Sequence, residues 1–191
     1  MNRKLVILVF GAACLLVSRA GSAETTQSKR VAPDWETILS ARVRDYGHRN
    51  WIVIADSAYP AQVREGIETI ATNESQLTVI EAVLEHLERA QHVRPILYLD
   101  KELSYVPESD AAGIEAYRKD LEKLLGNRKR TTLPHEQIIA KLDKAGESFK
   151  VLVLKTNLTL PYTSVFFELD CGYWSPEAEA RLRNAMKADS K

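Results

Sequence analysis

The sequence predicts an α/β domain in three layers, with helices covering both faces of a mostly parallel or mixed sheet. Three observations lead there. Short apolar runs, among them Trp51–Ile54 and Phe149–Leu154, alternate with longer amphipathic segments, the pattern of helices laid on a sheet. Those runs are continuously apolar rather than alternating, as expected for strands buried on both faces. The chain has 191 residues with 45% apolar content, enough for one real core but short for two.

The elements follow in order. Residues 1–23 read as an export signal: Asn2-Arg3-Lys4 is a positive start, Leu5 to Val17 an apolar stretch too short to span a bilayer, and Gly21-Ser22-Ala23 a small-residue cleavage site. Cleavage leaves no membrane anchor and predicts an exported protein, periplasmic or secreted. Residues 24–33 are polar and read as a flexible N-terminal segment, leaving 34–191 as a single domain. Asp34 caps a helix whose Trp35, Ile38, Leu39, Val43 and Tyr46 share one face, and Gly47 is the expected left-handed stop. The Trp51–Ala55 strand follows, then the breaker Ser57-Ala58-Tyr59-Pro60 and an extended stretch near Val63 to Ile70. After a turn at Asn73-Glu74-Ser75, Leu77, Ile80, Val83, Leu84 and Leu87 mark an amphipathic helix reaching Gln91.

Pro95–Leu99 is the next strand. Pro107 to Asp110 opens a helix carrying Ile114, Tyr117, Leu121, Leu124 and Leu125, stopped by Gly126. Another helix runs from Leu133 or Pro134 to Ala145, with Gly146 beyond it. Phe149–Leu154 and Val165–Leu169 are strands, and Ser175-Pro176 starts a C-terminal helix in the order of cap, then proline.

Composition excludes several functions. Lys plus Arg and Asp plus Glu both number 26, so the chain has no basic field for nucleic acid. Removing the signal takes Arg3, Lys4 and Arg19 with it and leaves a mildly acidic protein. It also leaves Cys171 as the only cysteine, which precludes an intramolecular disulfide and a cysteine zinc cluster. A zinc site from His48, His135 and Asp56 lacks every compact ligand spacing, and no G-x-S-x-G elbow or glycine-rich phosphate loop is present. Neither metal nor cofactor is expected.

Chemistry concentrates in three places. His48 follows a helix end, and Asp56 terminates the Trp51–Ala55 strand, where ligands gather in open α/β sheets. Tyr162, Thr163 and Ser164 place a phenol and two hydroxyls just before a strand, suited to a polyol edge. His135 opens a helix; its residue type and place alone indicate a solvated surface position, as do those of His86 and His92 for helix or surface roles. Tyr173 and Trp174 suit a stacked sugar face, a lid, a tail or a subunit contact equally.

Three blocks of residues resemble the D-ribose pyranase and L-fucose mutarotase family between about Ile38 and Phe167. Gly47-His48 through Asp56-Ser57-Ala58-Tyr59-Pro60 is similar to its Gly-His, apolar strand, Asp-Ala-x-x-Pro signature. Thr131-Thr132-Leu133-Pro134-His135-Glu136-Gln137 resembles Thr-Thr-His-Glu-Gln with two residues inserted, and Pro161-Tyr162-Thr163-Ser164 resembles Pro-Tyr-x-Asn. The resemblance implies cofactor-free interconversion of ring forms and anomers of free monosaccharides, with His48 as proton donor. By the same resemblance, Asp56, His135, Tyr162, Thr163 and Ser164 hold the sugar. Ser164 stands where the family usually has asparagine, and Asn157-Leu158 replaces a glycine and an acid. Ring opening needs a proton delivered to the ring oxygen and another removed from the anomeric hydroxyl, an exchange that suits imidazole.

His48 and Asp56 are eight residues apart, about 26 Å when extended at ~3.3 Å per residue. A monosaccharide is far smaller, so the two side chains are expected to meet only between copies in a homo-oligomer, and the resemblance also implies sites near subunit contacts. Two other readings use the same residues. One is a non-catalytic sugar-binding module, and the other an interaction protein presenting Tyr173, Trp174 and the C-terminal helix.

Overall fold

The computed structural model of the protein describes residues 34–189. The predicted signal at 1–23 and the polar segment at 24–33 lie outside them. The chain runs α1 (Trp35–Asp45), β1 (Trp51–Ala55), β2 (Ile67–Ala71), α2 (Gln76–Arg89), β3 (Val93–Asp100), α3 (Ile114–Leu125), β4 (Arg130–Leu133), α4 (His135–Gly146), β5 (Val151–Lys155), β6 (Val165–Cys171) and α5 (Pro176–Asp189). A short 3-10 turn, Lys101–Ser104, follows β3.

The six strands form one mixed sheet in the order β2-β5-β1-β6-β3-β4. β1 and β2 pair parallel with β5, β3 pairs parallel with β4, and β6 runs antiparallel between β1 and β3. Alternation along the strands divides the core in two. Ile52, Ile54, Leu152, Leu154 and Phe167 face α1, α2 and α3, which contribute Leu39, Val43, Ile80, Val83, Ile114 and Leu121. Trp51, Val53, Val151, Val153 and Phe166 face the opposite way, where α4 supplies Ile138, Leu142 and Ala145. The result is a three-layer α/β/α domain. α5 buries none of its residues.

Local chemistry sets the boundaries. Asp34 accepts the Thr37 amide at 2.7 Å and Ser75 caps α2 through Thr78, as side-chain caps at orphaned helix amides do. The helix expected from Pro107 begins instead at Ile114. Glu108 reaches forward to the amides of Gly113 and Glu115 at 2.5 and 3.1 Å, and Gly113 turns the chain at φ 93°. Gly47 is not the left-handed stop of α1: Tyr46 ends the helix in extended backbone, Asn50 Oδ1 accepts the Gly47 amide at 3.0 Å, and the positive φ of 71° falls on Arg49. β2 starts only at Ile67, with Val63 fully exposed before it.

Gly66 abuts backbone at the start of β2. A methyl group there clashes with the Gly146 carbonyl oxygen and meets that of Phe149 at 2.8 Å. Neither neighbour is a flexible side chain, and the Gly66 carbonyl accepts the Val151 amide at 2.8 Å. Gly66→Ala is therefore expected to destabilise the domain by about 1–3 kcal/mol, the usual cost of overpacking. A urea midpoint equal to that of the parent protein refutes this account of the site.

Candidate functional site

The sheet's direction decides which side chains can meet. β1, β3, β4 and β5 all point one way and β6 the other, so the ends of the first four share an edge with the start of β6. That edge gathers Asp56 after β1, Asp100 at the end of β3, His135 just after β4, Thr156 after β5, and Tyr162, Thr163 and Ser164 before β6. The opposite edge holds His48 before β1, Arg94 near the start of β3 and Asp170 near the end of β6.

His135 is the centre of the first edge. Its Nδ1 lies 3.1 Å from Asp100 Oδ1, and its backbone amide donates to both carboxylate oxygens of Glu102 at 3.0 Å. Pro134 precedes α4 without a side-chain cap. Glu102 fills that role from another element, with its negative charge at the positive end of the helix. The Tyr162 ring meets the imidazole edge-on, with centroids 5.6 Å apart and planes at 80°. Tyr162 itself has a φ of 54°, uncommon for a residue with a Cβ and the kind of backbone strain that surrounding structure must hold in place.

The hold comes from behind. The Thr163 carbonyl accepts from Tyr117 Oη at 3.0 Å and from Gln76 Nε2, while Gln76 Oε1 lies 3.1 Å from Thr156 Oγ1. Burial pushes the Tyr117 phenol upward in pKa, so it stays a neutral donor. Thr163 is fully buried, donating its hydroxyl to the Leu160 carbonyl at 2.9 Å, and Ser164 is 2% exposed. Of the three predicted polyol-binding residues, Tyr162 alone stands exposed. Asp56 is half-buried and Oδ1 accepts the Ala58 amide at 2.8 Å. A cavity of about 340 Å³ lined by Lys101, Glu102, Tyr105, Val106 and Tyr162 adjoins this edge.

Asp100 is the acid that the sequence reading missed. Burial pushes its carboxyl up to about 6; Glu102 and Asp56 push the same way, and the His135 imidazole pulls it back. Its Oδ2 is buried without a hydrogen-bond partner. The signal that found Asp56, an acid ending an apolar strand, also marks Asp100 at the end of Ile96-Leu97-Tyr98-Leu99.

His48 is exposed and lines a cleft of about 660 Å³ with Arg49, Arg94, Asp170, Tyr173 and Trp174. Burial pushes Asp170 up, but the Arg94 guanidinium, donating from Nε at 2.9 Å, holds its carboxyl below the usual range, and the His48 charge pulls the same way. Within one chain, then, the structure brings His135 and Tyr162 into contact and places Asp56 on their edge, with His48 at the far end of β1. His86 and His92 bind backbone carbonyls of Ala82, Val43 and Tyr46. Among the described residues no cluster of three His, Cys, Asp or Glu side chains has the spacing of a metal site, and no helix is long and apolar enough to cross a membrane.

The sequence model of the RbsD / FucU transport protein family matches residues 35–172. Three solved structures are similar to the chain. RbsD of Bacillus subtilis complexed with D-ribose is 20% identical with a TM-score of 0.49, covering 70% of this chain and 92% of its own. The fucose mutarotase of Streptococcus pneumoniae in complex with L-fucose is 16% identical with a TM-score of 0.44, covering 68% and 89%. FucU of Bifidobacterium longum is 14% identical with a TM-score of 0.47, covering 70% and 94%. No curated protein matches.

Proposed function

The chain belongs to the RbsD / FucU transport protein family, and from that premise we propose that it interconverts ring forms or anomers of free ribose- or fucose-like sugars. The observation that carries this reading is the edge where His135, Tyr162 and Asp56 stand together on strand ends. An aromatic face, a carboxylate and an imidazole suffice for the reaction: the phenol ring covers the sugar, Asp56 accepts its hydroxyls, and proton transfer opens the cyclic hemiacetal. The RbsD and fucose mutarotase structures hold D-ribose and L-fucose, which sets the size of the first sugars to try.

His48 enters the reaction from a neighbouring copy. It lies at the far end of β1 from Asp56, so a complete site on this reading is shared in a homo-oligomer. The proposal includes export to the periplasm or beyond, which the basic and apolar start of the sequence supports. The decisive experiment is saturation-transfer exchange at the anomeric protons of a panel of monosaccharides, with the mature protein added. Accelerated exchange is expected for at least one pentose or 6-deoxyhexose. Binding without acceleration removes the enzyme reading and leaves a sugar-binding module, an outcome that the burial of Ser164 at the family's usual asparagine position favours.

A further inference from the structure

Resting on the ring-opening reading, we propose that Asp100 is a positioning residue that keeps a proton on Nδ1 of His135, so that Nε2 offers its lone pair to the sugar's anomeric hydroxyl. A carboxylate only accepts, so the imidazole nitrogen 3.1 Å from Asp100 Oδ1 must be the one that carries hydrogen. In the neutral ring the other nitrogen is then a base. Among the described residues Nε2 has no hydrogen-bond partner, and the His135 side chain is 30% exposed while that of Asp100 is entirely enclosed. The ring is therefore anchored behind and open in front.

Two further observations separate this pair from an ordinary surface contact. Glu102 fixes the His135 backbone through both carboxylate oxygens and Tyr162 meets the ring edge, so the imidazole is held from three elements. Asp100, meanwhile, is buried with Oδ2 unsatisfied, an arrangement that stability alone disfavours. The groups acting on its charge are His135 from α4, Glu102 from the 3-10 turn and Asp56 from the end of β1, and its own charge acts on the Tyr59 phenol.

The step balances without any co-reactant. The anomeric O–H breaks and its proton passes to Nε2; the bond from the anomeric carbon to the ring oxygen breaks as the carbonyl forms, and the ring oxygen takes a proton from His48 of a neighbouring copy. Reclosure on either face of the carbonyl returns both protons. Throughout, Asp100 keeps the Nδ1 proton and faces the transient imidazolium.

The test is anomer exchange by Asp100→Asn in the full mature protein, using ribose and fucose. The rate is expected to fall about 10- to 100-fold, by analogy with the loss of partners that orient metal-bound histidines. The parent's rate should decline as pH falls through about 6, where Asp100 takes a proton, and the shape of that limb should change in the variant, which lacks this carboxyl. In a His135→Gln background, Asp100→Asn should cost nothing further; an equal loss there, or an unchanged rate in the single variant, overturns the proposal. Nitrogen NMR of the imidazole gives a readout independent of turnover. An Nδ1–H tautomer in the parent that becomes mixed in Asp100→Asn supports the hold even where no sugar is turned over, a result that would then count against the enzyme reading alone. A mixed tautomer in the parent overturns it.

Discussion

His48→Ala is expected to slow anomer exchange by about 10²–10⁴-fold, the range for loss of a positioned acid or base. Its effect on folding should stay within about 0.5 kcal/mol, because exposed residues remote from caps and buried networks rarely matter more. The structure makes that separation sharp. His48 is exposed in the turn before β1, and its neighbour Asp170 keeps its Arg94 partner when the imidazole is gone. Light scattering should find the same assembly and thermal melts the same midpoint. Wild-type exchange in this variant eliminates His48 as proton donor and passes the role to the edge that holds His135.

The second large effect is structural. Phe167→Ala should destabilise the domain by about 3–5 kcal/mol, the cost of deleting a buried aromatic ring and leaving its cavity. Phe167 is fully buried in the antiparallel strand, opposite Ile52 of β1 and Leu97 of β3. Its ring belongs to the core beneath α1 to α3, where helices and strands from most of the chain meet. Against total stabilities of about 5–15 kcal/mol for ordinary domains, this removes a large share. Urea unfolding measures it. A loss below about 1 kcal/mol would mean that the two faces of β6 do not carry the core as described.

Much of this architecture is legible in the sequence. Continuous apolar runs announced β1, β3, β5 and β6 because burial on both faces leaves no room for polar alternation. β4 gave no such signal: Arg130-Thr131-Thr132-Leu133 is four residues at the sheet edge with the two threonines exposed, so nothing demands apolar side chains. Pairing direction was also invisible, since Val165–Leu169 reads the same in either sense, yet the antiparallel run of β6 is what brings Tyr162 to the ends of β1 and β3. The carboxylate of Asp56 was found by its place after a strand. Asp100, in the same place after β3, went unread because the sequence does not show that α4 starts beside it.

Opposite placement of His48 and Asp56 along β1 fixes a counting rule for the shared-site reading. Each copy is then half of two catalytic centres rather than the whole of one. Copies joined head to tail in an open row of n hold n − 1 complete centres, and closing the row into a ring adds the last. Turnover per chain should accordingly fall on dilution in step with the loss of closed species, even though every polypeptide stays folded.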